Sequence, residues 1–136
     1  YYLRLFAWLL PALISASLNT VCTIGDVIRA RRDLWLGGGS DALARDLDWF
    51  LYTEGTEDDY RMDTPCIIAD PPDYDDEREL ELFPAFCDKH RMYSELMPET
   101  LDDVLLSALE QKRDASEEEL IYALNYYAEM DAFFQF

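Results

Sequence analysis

The chain has 136 residues, enough for one domain with its own core. Half of them are hydrophobic and 14% are aromatic, which excludes a disordered acidic tail. With 29 acids against 11 bases the net charge is −18, which disfavours nucleic acid and anionic membrane surfaces as partners and favours a cationic protein.

The opening runs YYLRLFAWLLPALISASLNTVCTI, with Arg4 as its one charge. Leu5 to Ile24 is about the length of a membrane span, but Pro11, Ser15, Ser17, Asn19 and Thr20 dilute it. Arg4, the apolar stretch Leu5–Ile14 and Ser15-Ala16-Ser17 also imitate a secretory signal. A buried or docking helix is the reading preferred for residues 1–18. The next stretch places Ile24, Val27 and Ile28 on one apolar stripe of a helix. Arg29, Arg31 and Arg32 follow near its expected end, where cations complement the dipole. GGGS, Gly37 to Ser40, reads as a flexible break. Up to that break four arginines face two acids; beyond it 27 acids face 7 bases.

Trp49 to Thr53 has strand propensity. TPCIIAD, Thr64 to Asp70, reads as a short buried strand stopped by Pro71-Pro72. DYDDERELE reads as a solvated loop. Over Glu54 to Glu81 there are 12 acids and 2 bases, Arg61 and Arg78. Arg91 to Met97 alternates as a third strand. Thr100 reads as an N-cap, with Asp102 and Asp103 in the first turn of a helix whose stripe is Leu101, Val104, Leu105, Ala108 and Leu109. Ser116 caps a second helix, and Glu119 completes a capping box. Leu120, Ala123, Leu124, Tyr127 and Ala128 form its stripe. The short link predicts that the two helices pack antiparallel. Tyr122, Tyr126, Tyr127 and the closing phenylalanines are expected to be mainly core. Asp131, within the aromatic run, is read as a hydrogen-bond acceptor for a neighbouring Tyr or as a chain-end cap.

Three cysteines, Cys22, Cys66 and Cys87, are an odd number at wide spacing, which does not resemble a disulfide framework and suggests a reducing compartment. Cys87 and His90 form a Cys-x-x-His pair without a second close pair to complete a zinc site. The acids from Asp73 to Glu81 lack the glycine and closing glutamate of a calcium loop. No phosphate-binding, dinucleotide, nucleophile-elbow or zinc-protease motif occurs. No enzyme activity, cofactor or metal is therefore expected.

Asp103-Val104, Gln111-Lys112, Ser116 to Leu120, Ala123-Leu124, Tyr126-Tyr127 and Asp131-Ala132-Phe133 together resemble the C-terminal half of an uncharacterised family of small acidic bacterial domains. Proteins of that kind lie beside polymorphic toxin systems and are taken to be immunity proteins. The resemblance implies a protein that binds a basic toxin, possibly a nuclease, and carries over no catalytic residue.

The expectation is an α+β fold: a small antiparallel sheet against helices, with a C-terminal antiparallel helix pair. An apolar segment, residues 1–18, precedes a single acidic domain, residues 19–136. The expected partner surface is Glu57, Asp58, Asp59, Asp73, Asp75, Asp76 and Glu77, with Tyr126 as an anchor. The expected compartment is the cytoplasm, or the periplasm or a membrane if residues 1–18 are a signal or anchor. A structural or adaptor protein that docks on a membrane or another subunit through that apolar N-terminus is the alternative function.

Overall fold

The computed structural model describes residues 13–55 and 59–136. Its fold is α+β. A 3-10 turn, Ile14–Ser17, leads into β1 (Thr20–Thr23) and the long helix α1 (Ile24–Ala44). Strands β2 (Phe50–Thr53) and β3 (Pro65–Ala69) follow, then a hairpin of β4 (Asp73–Asp75) and β5 (Leu80–Leu82). A short helix α2 (Ala85–His90), strand β6 (Ser94–Leu96) and helices α3 (Pro98–Gln111) and α4 (Glu117–Met130) complete the chain. The main sheet has the order β1-β3-β2-β6, antiparallel throughout.

Alternation along the strands divides the interior in two. Leu51, Cys66, Ile68 and Leu96 face α1, α3 and α4, where they join Ile24, Val27, Ile28, Leu101, Leu105, Leu109, Leu120 and Leu124. Tyr52, Ile67 and Ala69 point the other way, onto Cys87 and Met92, with Phe83 and Phe86 packed alongside. Each fully buried leucine or isoleucine contributes roughly 1.5–3 kcal/mol, so the helical face dominates stability. Ile14 and Ser17 lie before the boundary expected at residue 18. Both are buried, and Ile14 belongs to the larger cluster. The rest of the apolar opening, residues 1–12, lies outside the described residues. Among those described, no helix is long and apolar enough to cross a membrane.

Several expectations meet their elements directly. β2 and β3 fall where strand propensity placed them, and α4 begins with the Ser116–Glu119 capping box. Others need correction. Thr20–Thr23, which the sequence places only in the uncharged run Leu5–Ile24, is an edge strand. The helix after it does not end at its arginines. It runs on through Gly37 and Gly38, and the break is the single residue Gly39, at φ 71° and ψ −167°. The third strand is shorter than Arg91–Met97, because Arg91 closes α2 in the left-handed conformation. Helix α3 starts earlier than Thr100: Met97 is its N-cap and Pro98 its first residue, where a missing N–H costs nothing. Asp102 thus falls outside the first turn.

Gly39 sits where only glycine is comfortable. A Cβ there meets nothing within 4 Å, so the penalty is purely one of backbone strain. Gly39→Ala is expected to cost about 1–3 kcal/mol. Gly37→Ala, also in open space but within the helix, should instead stabilise by about 0.5–1 kcal/mol. Urea denaturation of the two variants checks the opposite signs.

Candidate functional site

The acidic run after β3 is an ordered hairpin and not a loop. Asp73 pairs with Leu82, Tyr74 with Glu81 and Asp75 with Leu80. Asp75 makes its turn. Its carboxylate accepts the Glu77 and Arg78 amides at 3.1 and 3.2 Å and the Arg78 Nε at 2.8 Å. These bonds, led by the Arg78 amide, hold its pKa below the usual aspartate value. Glu79 then takes a left-handed conformation, φ 53°. From Asp73 to Leu82 six acids face one base, Arg78. Cross-strand pairing puts Leu80 and Leu82 on one face and Tyr74 on the other. All three are exposed, at 50, 43 and 55%. The hairpin therefore offers apolar contact inside a negative field.

Among the described residues, the expected partner positions fall at two ends of β3. Asp73, Asp76 and Glu77 are exposed on the hairpin, while Asp75 is occupied in its turn. Asp59 belongs to the β2–β3 connection, which enters β3 at the end opposite the hairpin. A five-residue strand spans about 17 Å, roughly twice the Debye length at physiological salt. The carboxylate of Asp59 already meets Arg61 at 3.5 Å, beside an open cavity of about 350 Å³ lined also by Glu54, Asp63 and Thr64. Glu57 and Asp58 lie outside the described residues. The connection is fastened from below, where Asn125 accepts from the Tyr60 amide at 2.7 Å and donates to its carbonyl at 2.8 Å. That clamp was not read from the sequence.

The aromatic ending is more open than expected. Asp131 is the C-cap of α4, left-handed at φ 52°, and its amide donates to the Tyr127 carbonyl. The chain reverses there and runs back along the helix. Phe134 lies edge-on to Tyr122 and Tyr126, at 4.9 and 5.3 Å between centroids. The Gln111 amide donates to the Phe134 carbonyl and accepts from the Phe136 amide, both at 3.0 Å. None of these rings is fully buried, because the tail lies over the helix pair and not within it. Tyr126 is half-covered by Phe134, whereas Tyr122 is 57% exposed. Lys112, Glu119, Tyr122, Phe134 and Phe136 line an open cleft of about 580 Å³.

Arg31 is fully buried among acids. Glu95, on β6 opposite Tyr52, is hydrogen-bonded to Glu81 of the hairpin. Desolvation, that hydrogen bond and the Glu81 charge push the Glu95 carboxyl up to about 7. A carboxyl whose folded-state pKa is raised contributes stability below its unfolded value, near 4.5, and loses it as pH rises through 7. Asp102, raised chiefly by burial, acts in the same direction. Asp75, Glu117 and Glu119, whose values are lowered, act below that window. Melting temperature is expected to fall between pH 4.5 and 7, and Glu95→Gln should flatten that fall. An unchanged slope in the variant would refute the assignment.

Among the described residues no group of three or more His, Cys, Asp or Glu side chains is placed to hold a metal ion. Cys87 is buried in the smaller cluster, and His90 stacks edge-on against Phe86 at 4.5 Å. Residues 41–136 match the model of a family described as Domain of unknown function (DUF7716). No curated protein and no solved structure matches the chain.

Proposed function

The chain belongs to the family described as Domain of unknown function (DUF7716), and since that description brings no activity with it, we propose a reading from the surface itself: a non-catalytic immunity or inhibitor protein that binds and neutralises a basic bacterial toxin. The observation that carries this reading is the β4–β5 hairpin. Six acids steer a cationic partner, and exposed Leu80, Leu82 and Tyr74 give it apolar area to close on. A net charge of −18 extends the attraction beyond the contact and speeds encounter. If the toxin is a nuclease, carboxylates stand where it expects phosphate, and the mechanism is occlusion. Three free thiols fit the cytoplasm as the compartment.

The test is capture of the partner from the native host, followed by titration of the purified complex against salt. The reading expects a basic protein whose association slows steeply as sodium chloride rises. A partner that binds equally well in dilute buffer and in molar salt would overturn it.

A further inference from the structure

Cys22 and Cys66 face each other across the β1–β3 ladder, and their sulfurs stand 3.6 Å apart. Two residues along, the Ile24 amide donates to the Thr64 carbonyl at 3.0 Å. Hydrogen-bonded pairs alternate along an antiparallel ladder, so Cys22 and Cys66 occupy another such pair, with Cα atoms about 5.5 Å apart. That separation lies within the range disulfides span, and rotation of the two side chains would bring the sulfurs from 3.6 Å to the bonding distance of about 2.05 Å. The two thiols differ in access. Cys66 is fully buried in the main core, and its pKa is held well above the usual thiol value, first by the hydrogen bond with Cys22 and then by burial. Cys22 is partly exposed on the edge strand. Cys87 lies in the other cluster, beyond the sheet.

We propose that Cys22 and Cys66 are a reversible oxidation site, which exchanges with low-molecular-weight disulfides such as oxidised glutathione and thereby staples β1 to β3. This inference is independent of the toxin-binding reading. Cys22 acts first, because it is the thiol of the pair that solvent reaches. Its proton goes to solvent and its sulfur attacks one sulfur of glutathione disulfide. The disulfide bond breaks, and one glutathione leaves as a thiolate that takes up a proton. Cys66 then gives its proton to solvent, and its sulfur attacks the Cys22 sulfur of the mixed disulfide. The second glutathione leaves in the same way. Two protein thiols lose two electrons and two protons, and one glutathione disulfide becomes two glutathione thiols. The product ties residues before the family match to the sheet within it.

The experiment equilibrates the full chain in glutathione buffers of graded oxidised-to-reduced ratio, quenches with acid, counts thiols and maps linked peptides by mass spectrometry. Two of the three thiols should vanish together, in a peptide joining Cys22 to Cys66, and reappear with dithiothreitol. Cys66→Ser should stop at a stable glutathione adduct on Cys22, and Cys87→Ser should behave as the unaltered protein. Amide exchange across Thr20–Thr23 should slow on oxidation. The proposal is overturned if all three thiols survive, if the Cys22 adduct persists in the unaltered chain, if the link involves Cys87, or if β1 exchanges as fast after oxidation as before.

Discussion

Arg31→Met is expected to remove about 3–5 kcal/mol of stability at neutral pH, and to lower the melting temperature by on the order of 10 °C. The guanidinium lies in the interior between two acids. Its NH1 meets Asp46 Oδ2 at 2.6 Å, and its Nε and NH2 make a two-pronged contact with Asp102 at 2.9 and 2.6 Å. NH2 also donates to the Leu43 carbonyl, and the group lies over the Trp49 ring at 5.3 Å. Asp46 carries more than this charge, because it accepts from the Ile14 and Ser15 amides at 2.8 and 3.0 Å and from the Ser15 hydroxyl. One arginine thus ties α1 to α3 and to the segment after α1, and Asp46 fastens the Ile14–Ser17 turn.

Desolvation makes such a triad a weak source of net stability, but removing one partner is costly because it strands a buried charge. Asp102 illustrates the balance: burial raises its pKa even with Arg31 opposing. Without Arg31 it rises further. Stability from a raised carboxyl is present in acid and lost as pH rises, so the deficit of the variant should be smallest at low pH and widen toward neutrality. Arg31→Lys should recover part of the loss, since an ammonium cannot grip Asp102 with two parallel bonds while reaching Asp46. A methionine variant within about 1 kcal/mol of the original at pH 7 would contradict this account.

The second large effect concerns binding. Asp76→Lys with Glu77→Lys on the hairpin should weaken capture of the basic partner by on the order of 100-fold at low salt, mainly through the association rate. Leu80→Ser with Leu82→Ser should act mainly on dissociation, because buried apolar contact governs residence time. Both pairs are exposed, so each variant should keep its stability to within about 0.5 kcal/mol per substitution. Lysine substitution of Asp59, beyond the other end of β3, is the control and should change affinity little. Equal losses from both ends of the strand would mean that the hairpin is not the centre of the interface.

What could be read in advance follows from the strength of local signals. The two C-terminal helices announce themselves through period 3.6, at Leu101–Leu109 and Leu120–Leu124, and in the second a capping box at Ser116–Glu119 agrees with it. β2 and β3 are dense in β-branched and aromatic residues. The hairpin hides because its strands are three residues each and its leucines face solvent, so neither length nor alternation distinguishes it from a loop. β1 hides because four residues of it close a long apolar run. Arg31 is the instructive miss. It continues the stripe of Ile24, Val27 and Ile28 at helical spacing, and Asp102 sits on the stripe of Leu105 and Leu109. A charge on an apolar stripe requires an opposite charge on the facing element, and that complementarity was legible. Each charge also suits a helix end on its own, and that local explanation conceals the pairing. The acidic patch was visible as composition, but only the course of β3 shows that it divides in two.

The family match begins at residue 41, downstream of Arg31. A fragment cut at that border would take Asp46 and Asp102 into its interior and leave their counter-ion behind. A piece that keeps this cluster intact must therefore reach upstream to Arg31, and on to the Ile14–Ser17 turn if Asp46 is to keep its amide donors. In this molecule the unit marked by the family match is smaller than the unit that holds its buried charges together.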